Sequence, residues 1–251
     1  MGLVKAEGLI TRAVKYGEDS MILTIVTKEL GMISAIAGRV RTAKSKLRAG
    51  TQVLVYGVFT MFHGREKSLY HINEAEPIQS FAGLRESLDK FAYAAYFCEV
   101  INKLIPENSP DEELLRLTLN TLYLLAEDKV LPRVLKSVLE FRAAAQAGYA
   151  PDALRCSACG AEKNLAWLHL QEGSVLCADC GGMPKGMVRV TDSLCHAIAY
   201  ICNAEQKNIF SFQMSEQALE YLGKLSEAYL QAHVGTHFQT LDYLKRIITL
   251  G

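Results

Sequence analysis

The pattern of apolar and polar positions changes character near residue 80. Val4, Ala6, Gly8 and Ile10 alternate with Lys5, Glu7 and Leu9, the period of two that marks a half-buried strand. Residues 21–27 and 32–37 are β-branched-rich runs joined by a tight connection at Leu30-Gly31. Residues 51–62 form a long run, apolar on both faces and interrupted by Gly57. A turn at His63-Gly64 then leads into a fifth expected strand at 68–74. Five strands in about 75 residues, one with a mid-strand glycine, suit a small and strongly curved barrel. A five-stranded OB-fold is expected over residues 1–79, with an SH3-like barrel as the alternative.

Beyond residue 80 the period becomes helical. Leu84, Leu88, Phe91, Ala92, Ala95 and Tyr96 fall on one stripe, as the buried face of an amphipathic helix does. Ser109-Pro110-Asp111-Glu112 reads as a capping box with proline at the first helical position. Helices are expected over 114–126, 132–148, 192–204, 215–234 and 237–249. Gly235 is a natural stop, and Thr236 with Gln239 forms a second capping box. The fold class is therefore α+β: an OB-fold barrel, 1–79, followed by a helical domain, 80–251, that carries a cysteine-rich segment at 154–183.

Half of the 251 residues are apolar and 22% are charged, an ordinary soluble balance. No apolar run has the length of a membrane span, and the first residues lack the basic start and apolar block of a secretion signal. A cytoplasmic protein without a membrane partner is expected. Net charge is zero but unevenly placed: residues 1–80 hold 11 Lys/Arg against 7 Asp/Glu, and the remainder holds 16 against 20. The two halves therefore differ in sign.

Seven cysteines in a chain of this kind point to metal rather than to a disulfide framework. Cys156 and Cys159 form one C-x-x-C pair, and Cys177 and Cys180 form another, 17 residues on. Each pair makes a knuckle that aims two thiolates at one ion, with Gly160 and Gly181 directly after. Four thiolates saturate tetrahedral zinc and leave no position for a reacting water. One structural zinc is expected, although iron takes the same ligands and redox disulfides use the same residues. His169, between the knuckles, reads as an ordinary strand residue. Cys98, Cys195 and Cys202 lie on apolar helical stretches and read as small buried hydrophobes.

No acidic residue occurs between Glu29 and Glu66, and that window holds Arg39, Arg41, Lys44, Lys46 and Arg48. Their spacing fits neither a helix face nor a strand face, so a cationic loop is expected between the third and fourth strands. Such a loop beside a barrel suits a phosphate backbone; a loop whose charges merely aid solubility is the plain alternative. Arg12 and Lys15 extend the cationic surface, and Tyr16, Tyr56, Phe62 and Tyr70 are candidate stacking residues. The chain contains no Walker A sequence, G-x-S-x-G, H-E-x-x-H or H-x-E before the cysteines, which favours a binding protein over an enzyme.

These stretches resemble a known family. Tyr16-Gly17-Glu18-Asp19 followed by Thr27-Lys28-Glu29-Leu30-Gly31, then residues 37–41 running into Lys44-Ser45-Lys46-Leu47, and the four-cysteine segment late in a helical domain are similar to the RecO family of bacterial recombination mediators. The resemblance spans essentially the whole chain. It implies DNA repair by homologous recombination, binding of single- and double-stranded DNA, and annealing of complementary strands. Implied partners are RecR, the acidic C-terminal tail of single-strand-binding protein and, indirectly, RecA. It makes the 39–48 cations the DNA-contact candidates and implies association with the nucleoid. The resemblance assigns no residues to the acidic tail; Arg133, Lys136 and Arg142 are candidates because they lie along one expected helix, and such a tail needs a hydrophobic groove with nearby cations. The competing class is an RNA-binding OB protein with a zinc ribbon, acting in translation or on the ribosome.

Overall fold

In the computed structural model, which describes residues 2–63, 69–181, 185–235 and 237–250, strand β1 (Gly2–Tyr16) is long enough to serve two neighbours. Its first half pairs antiparallel with β4 (Tyr56–His63) and its second half with β2 (Ser20–Thr27). β2 pairs with β3 (Gly31–Ala37), β3 runs parallel to β5 (Leu69–Gln79), and β5 returns to β4. The closed order β1-β2-β3-β5-β4 is that of the OB-fold. Closure needs a sharply bent first strand. A register shift between Ile10 and Arg12 supplies the bend, and Gly8 faces Gly57 where the strands crowd. A Cβ on Gly57 would lie 2.5 Å from the Glu76 carbonyl oxygen. Ile10, Leu23, Ile25, Ile33, Phe59 and Met61 fill the interior.

Residues 51–55 are turns, not the start of the fourth strand. β-branched propensity yields there to a left-handed residue, Leu54 (φ 66°). The turn lets Leu54 N–H donate to Ile10 O (2.8 Å) and Ile10 N–H donate to Val55 O (3.0 Å), and it buries both Leu54 and Val55 at the barrel end.

Around the barrel, one compact unit comprises Met1–Glu127 with Phe238–Gly251. It adds a 3-10 turn at Ala82–Arg85, α1 (Leu88–Leu104), α2 (Glu112–Ala126) and, late in the chain, a helix at Gln239–Leu250. Two expectations need correction. On α1 the buried face carries Tyr93, Tyr96, Phe97, Val100 and Ile101, whereas Leu88 and Phe91 are 57% and 39% exposed. The cap of α2 is Asp111, whose carboxylate accepts from Leu114 N–H at 2.9 Å, not Ser109. Ser109 precedes a proline, which disfavours helical backbone, and its own backbone lies against Gly31.

The second unit, Asp128–His237, contains α3 (Pro132–Ala144), α4 (Asp192–Asn203) and α5 (Glu216–Val234). Helix α3 widens at 145–149 and ends at Gly148 (φ 92°); α5 ends at Gly235 (φ 64°). Its sheet has β6 (Asp152–Cys156), β7 (Leu165–His169), β8 (Ser174–Cys177) and β9 (Met187–Arg189) in the order β6-β8-β7-β9. The Gln239–Leu250 helix is α6. The expected features at Gly64, Ser68, Thr236 and 182–183 lie outside the described residues. Among the described residues, no helix is long and apolar enough to cross a membrane.

Candidate nucleic-acid interface and candidate metal centre

The 39–48 cations lie on the connection between β3 and β4. Successive backbone bonds, Thr42 N–H to Arg39 O, Ser45 N–H to Thr42 O and Arg48 N–H to Ser45 O, wind it into a chain of turns. Arg39 takes a left-handed conformation (φ 52°). The loop is tied to the β1–β2 turn: Arg39 N–H donates to Ser20 Oγ (3.3 Å), Arg41 N–H to Asp19 O (2.9 Å) and the Arg41 guanidinium to Glu18 O (2.8 Å). All five cationic side chains are exposed. Among the described residues, no ion pair engages any of them. Arg41 and Arg48 line an open groove of about 560 Å³ with Ala13, Val40 and Gln52.

Arg12 and Lys15 are exposed on β1. The pairings Ala13↔Leu23 and Lys15↔Met21 put Lys15 on the face of β1 that reaches the groove, and Arg12 on the opposite face. Tyr16 is 52% exposed and pairs with Ser20 at the turn that holds Arg39. Tyr56 is engaged otherwise, its hydroxyl donating to the Glu7 carboxylate. Phe62 and Tyr70 stand at the far end of β4, where Tyr70 meets the His63 ring at 4.4 Å. The loop thus has one of the four aromatic candidates, Tyr16, beside it, with Tyr56 spent on Glu7.

In the second unit, β6 ends at Cys156 and β8 at Cys177, so adjacent parallel strands deliver the two knuckles side by side. The four sulfurs lie within 4.8 Å of one another, and Cys159 Sγ is 3.8 Å from Cys177 Sγ. Zinc–sulfur bonds of about 2.3 Å in a tetrahedron place sulfurs about 3.8 Å apart, so the spacing fits one ion and is far too wide for disulfides. Four close thiolates repel one another unless a cation sits between them. The thiols diverge accordingly. The Cys177 N–H draws Cys156 down to about 6, and neighbouring Cys159 and Cys177 push Cys180 up to about 12.

The surrounding residues hold this geometry. Gly160 has φ 77°, and its N–H donates to Cys156 O at 2.8 Å. Gly181 is needed for room, since a Cβ there would lie 2.5 Å from Trp167 Cδ1. The Asp192 carboxylate accepts from Asn164 N–H (3.1 Å) and Leu165 N–H (2.7 Å), fixing the start of β7 between the knuckles. Sequence reasoning missed Asp192 and Trp167, because neither lies in a C-x-x-C pair. His169 ends β7, its Nδ1 accepting from Glu172 N–H, apart from the four cysteines. Cys98, Cys195 and Cys202 are buried, and burial pushes each thiol up to about 12.

The acidic-tail candidates are largely committed within their own unit. Lys136 is buried against Glu140 (2.9 Å) and Glu227 (3.2 Å), Arg133 pairs with Glu216 (3.1 Å), and Arg142 donates to the Cys202 carbonyl.

The family model described as recombination protein O N terminal matches residues 1–81, and the one described as recombination protein O C terminal matches residues 85–242. The chain is similar to the DNA repair protein RecO of Acetivibrio thermocellus, 35% identical over 98% of each chain. It is also similar to those of Alkaliphilus metalliredigens (30%, over 98% of this chain and all of the relative) and Pelotomaculum thermopropionicum (30%, 98% and 95%).

Proposed function

The chain belongs to the recombination protein O family, and from that premise we propose that it is a non-catalytic, DNA-binding recombination mediator in DNA repair. In this reading it binds single- and double-stranded DNA and anneals complementary strands. With RecR, and through the acidic tail of single-strand-binding protein, it helps load RecA onto coated DNA. The observation that carries the proposal is the 39–48 loop: five exposed cations beside an open groove, none in an ion pair among the described residues.

Annealing needs no covalent step. Two strands repel through their phosphates, and cations along one path replace condensed counterions and lower that repulsion. Arg41 and Arg48 face the groove, so they meet the backbone directly. Arg39, Lys44 and Lys46, exposed along the same loop, each take a further phosphate, and together the five raise the local potential and speed encounter. The bonds to Glu18, Asp19 and Ser20 keep the loop from collapsing onto the barrel.

Cys156, Cys159, Cys177 and Cys180 would hold one zinc, which supplies cross-linking of the two knuckles and no reactive water. Zinc is favoured over iron by the chemistry of the role, since a mediator without redox steps gains nothing from a metal that changes valence.

Strand annealing of complementary oligodeoxynucleotides tests the proposal. The full chain is expected to accelerate duplex formation and to retain the effect when the strands carry single-strand-binding protein. A failure to accelerate either reaction contradicts it, and preference for RNA over DNA of one sequence would favour an RNA-binding role instead.

A further inference from the structure

The segment that carries Arg48 contributes to a second depression. Gln52 lines the cationic groove and also a neighbouring one of about 490 Å³ formed with Val55, Pro77, Ile78, Gln79 and Arg85. Arg48 faces the first groove and Ala49, the next residue, the second. The two surfaces are therefore continuous through one stretch of backbone, yet they differ in chemistry. None of the residues lining the second groove is acidic, and Arg85 is its one cation. Pro77 and Ile78, at the end of β5, form an apolar wall, with Ile78 56% exposed. Gln52 and Gln79 also line it, the Gln52 Nε2 donating to Arg48 O at 3.4 Å. Arg85, exposed on the 3-10 turn, donates through its guanidinium to Val53 O at 2.7 Å, which fixes the far edge of the groove to the end of the loop.

A half-apolar groove with amides, one cation and no acid, beside a phosphate-binding track, has the chemistry of a base site. When a single strand lies on cations through its phosphates, its bases are left without stacking partners. An apolar wall removes them from water, while amides can donate to and accept from base edges. We propose that this groove receives unstacked bases of a single DNA strand whose phosphates lie on the 39–48 loop, with Arg85 taking a phosphate where the strand leaves. The inference rests on the nucleic-acid reading of the loop and deepens it. The bases would be held away from pairing while the phosphates are fixed, and then released to a complementary strand. Ile78, at the end of β5, and Arg85, on the 3-10 turn, carry no local sequence signal because neither lies in a run of charge.

The test compares binding of the full chain to an oligodeoxythymidylate and to the same strand carrying consecutive abasic sites, across a salt series. The wild-type chain is expected to bind the intact strand more tightly, on the order of ten-fold for one well-seated base. The I78A/Q79A chain, altered at two exposed residues that line this groove and not the cationic one, should bind both strands alike while keeping the wild-type salt slope. Equal wild-type binding of intact and abasic strands, with strong salt dependence, overturns the base groove and leaves the loop reading intact. Full discrimination retained by I78A/Q79A overturns it as well. Absence of salt-dependent binding by the wild-type chain would defeat the loop reading itself, and this proposal with it.

Discussion

The guanidinium of Arg41 donates to the backbone carbonyl of Glu18 at 2.8 Å, and no carboxylate pairs with it among the described residues. The bond anchors the side chain without neutralising it, so Arg41 keeps its whole charge for a phosphate. Arg41→Ala is expected to weaken single-stranded DNA binding and to flatten the salt slope by about 0.7. Arg41→Lys keeps the charge but not the planar fork; its salt slope should match wild type. The Arg41 N–H, which bonds Asp19 O, should exchange with solvent faster in both variants. Salt titration with hydrogen exchange separates the two roles.

Zinc and its surroundings give a second expectation. Trp167 is the only tryptophan and lies against Gly181, so its emission reports the second knuckle. Chelation at neutral pH should shift that emission and release one zinc per chain. Lowering the pH should do the same, because thiolates must be deprotonated to bind. Cys177→Ser should abolish the stoichiometric metal and leave DNA binding by the barrel loop in place. Metal analysis with fluorescence checks both, and loss of iron in place of zinc would revise the metal.

The buried ion group on α3 and α5 should matter for stability. Glu140 is fully buried, accepting from Lys136 and from Ser226 Oγ (2.6 Å). Lys136→Ala leaves that carboxylate without its cation and is expected to cost about 3–5 kcal/mol. Lys136→Met with Glu140→Leu, which removes the buried pair and leaves only the partly exposed Glu227 carboxylate, should cost less. Denaturant unfolding of the two variants decides it.

Glu99 supplies a pH-dependent tie. Burial alone would raise its pKa, but bonds from Thr240 and Gln239 and the nearby Lys103 outweigh that and lower it below 4.5. A carboxylate lowered in the folded state stabilises above its unfolded value and loses that contribution as pH falls through the folded one. Docking of α6 should therefore weaken below about pH 4.5, and E99Q should be less stable at neutral pH and lose this part of the acid dependence. Thermal melts across pH 3–7, on the order of that window, test the sign.

Much of this architecture was readable from residue order alone, and the misreadings have physical causes. β2 and β3 were plain as β-branched runs, and the knuckles as paired cysteines. The 51–55 stretch looked like strand because Val and Thr favour it, yet closing the barrel required a left-handed turn at Leu54. Ser109 and Asp111 both suit a cap, and Pro110, which disfavours helical backbone at Ser109, together with the close approach of the Ser109 backbone to Gly31 leaves Asp111 as the cap. Of the stripe, Leu84, Ala92 and Tyr96 are buried, but Leu88 and Phe91 lie outside because the inward side of α1 is centred on Tyr93, Tyr96 and Phe97. The cationic loop was visible as charge, but the groove beside it depends on residues brought together from 13, 21, 40–41, 48 and 51–53, which no local pattern joins.

The central claim is that the 39–48 loop holds the sugar–phosphate backbone by charge, and the salt dependence of single-stranded DNA affinity tests it most directly. Five neutralised phosphates predict a log–log slope of about −3.5 for the wild-type chain, and R39A/R41A/K44A should bring it to roughly −1.4 with the fold and zinc content unchanged. A wild-type affinity insensitive to salt, or a triple variant with the wild-type slope, would contradict the account.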